Sequence, residues 1–189
     1  ENFVRRITKR AYAKINIGLD VLRRLENGYH EVEMIMHTVK LYDELTFEEN
    51  DSGKATMTST DKTIPEDDRN LIIKAANLFM ETYQIEEGVH IELVKRIPHA
   101  AGLGGGSADA AVTFLALNEM FHVNASLEEL QTLGVKIGAD VPFCMMGGTA
   151  LAEGIGEKLT RLPELPKCAV LLVKPKIALN GFRRSCAMI

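Results

Sequence analysis

The 189 residues carry 22 Lys and Arg against 26 Asp and Glu, a net charge of −4, with no long basic run. That balance sets nucleic acid aside as a partner. The composition, 46% apolar and 25% charged, is that of an ordinary globular protein with enough chain for a substantial core.

No apolar run approaches membrane-spanning length, and the start lacks the pattern of a signal peptide. Cys144, Cys168 and Cys186 are odd in number and form no CxxC pair. A disulfide framework is therefore not expected, and a reducing, cytoplasmic setting is. His30 followed by Glu31 opens like HExxH, but Met34 stands where the second His is needed. No metal-ligand set is assigned.

Taken in chain order, residues 4–22 are rich in β-branched and aliphatic residues, and the alternation over 13–19, with Lys14 and Asn16 set among Ala13, Ile15, Ile17 and Leu19, predicts a strand with one polar face. Asn27 followed by Gly28 is a hairpin turn signal, and the strand-like EVEMIMHTVKL comes next. LTFEE and KATMTST read as two further short strands around the polar turn at residues 50–53. A polar loop at 61–69 leads to Asn70, an N-cap candidate for the helical LIIKAANLFMETY. Val89, Ile91 and Leu93 alternate as a strand.

After the glycine-rich stretch PHAAGLGGGSAD at 98–109, Ala110, Phe114, Leu117 and Phe121 form one helical stripe. SLEE at 126–129 has the form of a capping box and opens a helix ending near Gly138. Residues 169–173 read as a short buried strand. The order of elements predicts an α+β fold rather than strict βαβ alternation.

A strand, a glycine-rich turn and a helix can gather backbone N–H groups at the positive end of a helix dipole, which suits phosphate. Two familiar phosphate motifs fail here. No Lys follows the glycines as Walker A requires, and Ser107 stands where GxGxxG needs its last glycine. A tight turn would use the same residues, with Ser107 as N-cap and Asp109 complementing the dipole. Composition alone leaves both readings open.

The full string PHAAGLGGGSADAA resembles the Px3GLGSSAA-type phosphate loop of the GHMP kinases, small-molecule kinases without a Walker A sequence. AYAKINIGLDV with NGYHEVEM, PEDDRNLIIKAA and GADVPFCMMGGTALAEGIGEKL resemble three further segments of that family, in order and in register, from about residue 8 to 176. The resemblance implies the amino-terminal domain of the GHMP kinase fold over 1–175, a mixed β-sheet with helices packed on it.

It also implies an ATP site. Gly102, Gly104, Gly105, Gly106 and Ser107 would surround the phosphates, with Pro98, Leu103 and Asp109 in the same loop and Asn70 and Leu71 near adenine. Asp140 corresponds to the family's proton acceptor, and Lys14 to the lysine that steadies it and the developing charge. Mg²⁺ is expected with ATP.

The GYHE segment is similar to the branch whose substrate bears a cytidine diphosphate, rather than to mevalonate or homoserine kinases. It assigns Asn16, Tyr29 and His30 to that substrate, an isoprenoid-precursor alcohol phosphorylated at its 2-hydroxyl. Residues 176–189 depart from the pattern where relatives continue into a second domain. The alternative expectation is therefore a truncated remnant that at most binds nucleotide, with self-association through the uncovered surface.

Overall fold

Two long antiparallel strands make the frame: β1, Arg6–Arg24, and β2, His30–Asn50. The computed structural model describes residues 4–26 and 28–173. The expectations for Asn27 and for residues 174–189 lie outside these. LTFEE is not a strand of its own. It is the second half of β2, which at 21 residues is several times the usual strand length.

After β2 come β3 (Ala55–Ser59), helix α1 (Leu71–Tyr83), β4 (Gly88–Val94) and α2 (Gly105–Met120). Then follow α3 (Leu127–Ile137), α4 (Val141–Met146), β5 (Thr149–Glu153) and β6 (Lys158–Arg161). β2 is the hub of one mixed sheet. β1 lies along one side of it. On the other side β4 takes one half of β2 and β5 takes the other, with β3 beyond β4 and β6 beyond β5. Among the described residues only the β3–β4 pair is parallel.

The helices cover one sheet face. Ala11, Leu45, Phe47, Ile91 and Leu93 pack there against Ile72, Phe79, Phe114 and Leu117 in a single core. Polar residues hold the other face, as where Arg6 pairs with Glu48 and Glu92. α2 is buried almost all round rather than along one stripe, as befits a helix wrapped by others.

Two of the helix caps are those the sequence announces. Asn70 Oδ1 accepts from Ile72 N at 2.9 Å. Ser126 and Glu129 form a reciprocal capping box. Two short strands, β5 and β6, were not apparent from the sequence. Residues 169–173 are the opposite case. They form no strand, and Leu171 and Val173 are 88% and 80% exposed. An apolar run becomes a buried strand only when a neighbouring strand takes its N–H and C=O groups, and among the described residues none pairs with it.

Candidate active site

Strict alternation along β1 would turn Lys14 outward with Tyr12, which is 40% exposed. The register with β2 instead shifts between Tyr12, opposite Tyr42, and Lys14, opposite Thr38. Such an irregularity re-aims side chains. Ala13 and Lys14 are consequently both buried. Lys14 Nζ lies 3.1 Å from Asp140 Oδ2 and donates to Asn16 Oδ1 at 3.2 Å.

Asp140 occupies the N-cap position of α4, yet its side chain makes no capping hydrogen bond. The carboxylate is instead turned to Lys14, a residue 126 positions earlier in the chain. Asp140 is 29% exposed at its side chain and Lys14 only 7%. One partner of the pair is thus buried and the other faces an opening.

The glycine-rich loop is strapped to this pair, since Lys14 N donates to Leu103 O at 2.9 Å. Leu103 also packs with Ala13, Val39 and Ile97. Gly102 and Gly104 take φ of 74° and 67°, and Ala100 takes 54°. A positive φ at an alanine is strain of the kind that collects at functional loops.

Two of the glycines are needed for space as well. A Cβ at Gly104 would lie 2.9 Å from Lys14 Cγ, and one at Gly105 would lie 3.0 Å from Lys95 Nζ. The loop is threaded between two lysines. Leu71 approaches from α1, its Cδ1 3.5 Å from the Cβ position of Gly106.

Helix α2 begins at Gly105, so Ser107 is not its cap. The N-cap is Gly104, which has no side chain to offer. Ala108 N is bonded to Gly104 O, but the amides of the first turn before it have no capping side chain. An uncapped helix start beside a positive-φ loop has the geometry that suits an anion. Ser107 Oγ lies 3.8 Å from the Cβ position of Gly138, two residues before Asp140. The far side of this helix start is therefore next to the Lys14–Asp140 pair.

The other residues singled out from the sequence are placed as follows. Pro98 is exposed on the loop's approach. Asn70 has its amide engaged in the α1 cap and with Pro65 O at 2.8 Å. Tyr29 and His30 sit at the far end of the β1–β2 hairpin, where His30 pairs with Arg24. Eight residues of β2 separate His30 from Thr38, so at ~3.3 Å per residue the strand path to Lys14 is roughly 26 Å. The structure gathers Lys14, Asn16, Asp140 and the loop, and leaves Tyr29 and His30 at a distance.

Asp109 is not on the loop surface. It is 3% exposed and points behind the loop to Lys95, whose Nζ donates to its Oδ2 at 2.8 Å. The same ammonium contacts Asp43 Oδ2. This Asp43–Lys95–Asp109 cluster was missed in the sequence reading, although a signal for it existed. Val39, Leu41, Asp43, Leu45 and Phe47 share one strand face, and an aspartate on an otherwise apolar face needs a buried partner.

Cys144 lies in α4. Burial, above all, raises its thiol pKa, so it remains a neutral core residue rather than a nucleophile.

Residues 70–148 match the sequence profile of the GHMP kinases N terminal domain. This chain carries a GHMP kinase amino-terminal domain. It is 51% identical over 174 residues to a 4-diphosphocytidyl-2-C-methyl-D-erythritol kinase of Lachnoclostridium phytofermentans, and 50% identical over 175 residues to one of Acetivibrio thermocellus. Each alignment covers 92% of this chain, and the chain spans 60% and 61% of those relatives.

A crystal structure of 4-(cytidine 5'-diphospho)-2C-methyl-D-erythritol kinase superposes with a TM-score of 0.70 at 39% identity, over 82% of this chain and 55% of that one. Homoserine kinase from Cytophaga hutchinsonii superposes at 0.69 with 23% identity, over 84% and 52%, and supports the fold alone. No helix among the described residues is long and apolar enough to cross a membrane.

Proposed function

We propose that this GHMP kinase domain supplies the ATP cradle and the proton acceptor of a kinase that phosphorylates the 2-hydroxyl of 4-diphosphocytidyl-2-C-methyl-D-erythritol. The observation that carries the reading is the Lys14–Asp140 contact at 3.1 Å beside an uncapped, glycine-lined helix start.

Phosphoryl transfer asks a protein mainly for positioning and charge compensation. The loop amides and the α2 dipole hold the β- and γ-phosphates. Asp140, with one face open, takes the proton as the substrate oxygen bonds to the γ-phosphorus and the bond to the ADP oxygen breaks. Lys14 faces the reacting oxygens from the buried side and fixes Asp140. Asn16 in turn fixes Lys14.

Among the described residues no group of three or more His, Cys, Asp or Glu is arranged to hold a metal ion. Mg²⁺ would come with ATP and would supply charge neutralisation at its phosphates. The substrate's cytidine end belongs at Tyr29 and His30. Their place far along the hairpin suits an extended nucleoside diphosphate rather than a compact alcohol.

The test is ADP release by the 189-residue protein with MgATP and the cytidylated substrate, alongside calorimetric binding of MgATP. Release that needs the substrate, and that drops ~10²–10⁴-fold in Asp140→Asn, supports the assignment. Release indifferent to Asp140→Asn, or failure to bind MgATP, overturns it.

A further inference from the structure

Two carboxylates compete for one ammonium directly behind the glycine loop, and they are not equally served. Asp43, fully buried, accepts from Lys95 Nζ, from Arg96 N at 2.5 Å and from Ile97 N at 2.8 Å. Asp109, on the first turns of α2, receives Lys95 on Oδ2 only. Its Oδ1 is buried and has no hydrogen-bond partner. Were both ionised, the cluster would hold a net charge of −1 in the core, with an orphan anionic oxygen. A buried unpaired charge is among the most unfavourable arrangements a protein can adopt, whereas a neutral O–H left without a partner costs much less.

We propose that Asp43, Lys95 and Asp109 are a positioning unit for the phosphate loop, with Asp43 ionised, Lys95 protonated and Asp109 holding a proton, so that no net negative charge stands behind the bound phosphates. The unit touches the loop at both ends. Asp43 fixes the backbone of residues 96 and 97 where the chain enters the loop. Asp109 fixes the helix start where it leaves, and Lys95 Nζ fills the space that glycine leaves open at 105.

Burial raises the Asp109 carboxyl to about 8, against the pull of Lys95 and with repulsion from Asp43 on β2. Burial opposes the Lys95 charge, but its two aspartate partners outweigh it and hold the ammonium pKa above its ordinary value; while Asp109 keeps its proton, the charge comes from Asp43 and Asp109 contributes a hydrogen bond. From α4 the facing group is the neutral Cys144 thiol. Among the described residues no charge on α1, α3 or β1 is among those that move Asp109.

The proposal rests on the cradle reading for its link to nucleotide but not for its proton. The sign follows from linkage. A carboxyl whose pKa rises on folding binds a proton in the native state that the unfolded chain has lost, so stability falls as pH climbs from about 4 to about 8 and then levels. Over that window each pH unit should lower the folding equilibrium constant by up to about tenfold more in the wild-type chain than in Asp109→Asn.

Carboxyl ¹³C resonances of aspartate-labelled wild-type protein at pH 6.5 should include one in the protonated position, moving to the ionised position as pH passes 8. Urea unfolding at that pH should release about one more proton from the wild type than from Asp109→Asn. If every aspartate is ionised at pH 6.5, the proposal is wrong, and this measurement needs no variant to fold.

For the link to nucleotide, MgATP affinity from pH 6.5 to 9 should weaken roughly three- to tenfold more in the wild type than in Asp109→Asn, as charge builds behind the phosphates. Parallel affinity profiles would overturn the positioning role. If neither protein binds MgATP at any pH, the cradle reading fails and the positioning role with it. The resonance would still decide the proton.

Discussion

The glycine loop runs between two buried lysines that serve different ends. Lys14 and Lys95 are each 7% exposed at the side chain, and each reaches within about 3 Å of a Cβ position that glycine leaves vacant. Lys14, however, meets one carboxylate, and that carboxylate is 29% exposed. Lys95 meets two, of which Asp43 is completely buried and Asp109 nearly so. An ion pair with one face open can admit a substrate oxygen. A closed one cannot, whatever its protonation, and serves to hold its surroundings in place. On the proposed function, chemistry on one side of the loop has architecture on the other.

The sharpest way to break this contrast is Lys95→Met, which removes the shared cation and leaves Asp43 buried without it. We expect a loss of about 3–5 kcal/mol in unfolding free energy, the range for stripping one partner from a buried ionic cluster. Urea denaturation near neutral pH measures it. A loss under about 1 kcal/mol would mean that the cluster is not a closed anchor.

Much of the fold was legible because its signals are local. Asn70 ahead of an apolar helical pattern, and SLEE at 126–129, each specify a helix start with residues within one turn of it. The α+β class, the strand at Val89, Ile91 and Leu93 and the presence of a glycine loop were equally accessible. Lys14 and Asp140 came from the family resemblance, since a lone lysine in a strand and an aspartate before a helix each have an ordinary structural use.

What stayed hidden was relational. Asp43, Lys95 and Asp109 are separated by 52 and 14 positions, and their meeting depends on how β2, β4 and α2 pack. β2 was divided in two because nothing local says that a strand will run for 21 residues across two neighbours. The apolar run at 169–173 carries a strand's composition but no pairing partner among the described residues. Pattern measures the fitness of a segment for a sheet, not the presence of the rest of the sheet.

On the loop itself, Gly104→Ala tests whether the close approach to Lys14 matters. The residue has φ of 67°, and its new Cβ would come within 2.9 Å of Lys14 Cγ, a flexible group that can yield. The left-handed conformation costs a non-glycine residue roughly 1–2 kcal/mol, which thermal unfolding would register. Displacement of Lys14 from Asp140 should appear separately, as reduced MgATP-dependent turnover. Unchanged stability would show that the loop relaxes freely and is not clamped by the two lysines.

A control lies well away from both lysines. Ser126→Ala removes the side-chain acceptor of the α3 capping box, whose Ser126 Oγ takes Glu129 N at 3.2 Å. About 1 kcal/mol of stability should be lost. MgATP affinity should stay within experimental error of the wild type. An affinity change comparable to that of the loop variants would indicate that stability alone, rather than loop geometry, governs nucleotide binding.

The smallest stability effect should come from the residue with the largest chemical one. Asp140→Asn keeps the size and hydrogen-bonding capacity of the side chain and removes the charge facing Lys14. Because Asp140 is partly exposed, solvent already screens the pair, and exposed or half-exposed ion pairs contribute on the order of 0–1 kcal/mol. Lys14 is not stranded by the change. It retains Asn16 Oδ1 at 3.2 Å, and its backbone remains strapped to Leu103. The melting midpoint should therefore move by a few degrees at most, and MgATP affinity should hardly change, while proton acceptance from the substrate hydroxyl is lost. Lys95→Met should show the reverse pattern, with a large shift in unfolding and weakened nucleotide binding. A stability loss in Asp140→Asn as large as that in Lys95→Met would make the two lysine sites equivalent, and the division between an open and a closed side of the loop would fall.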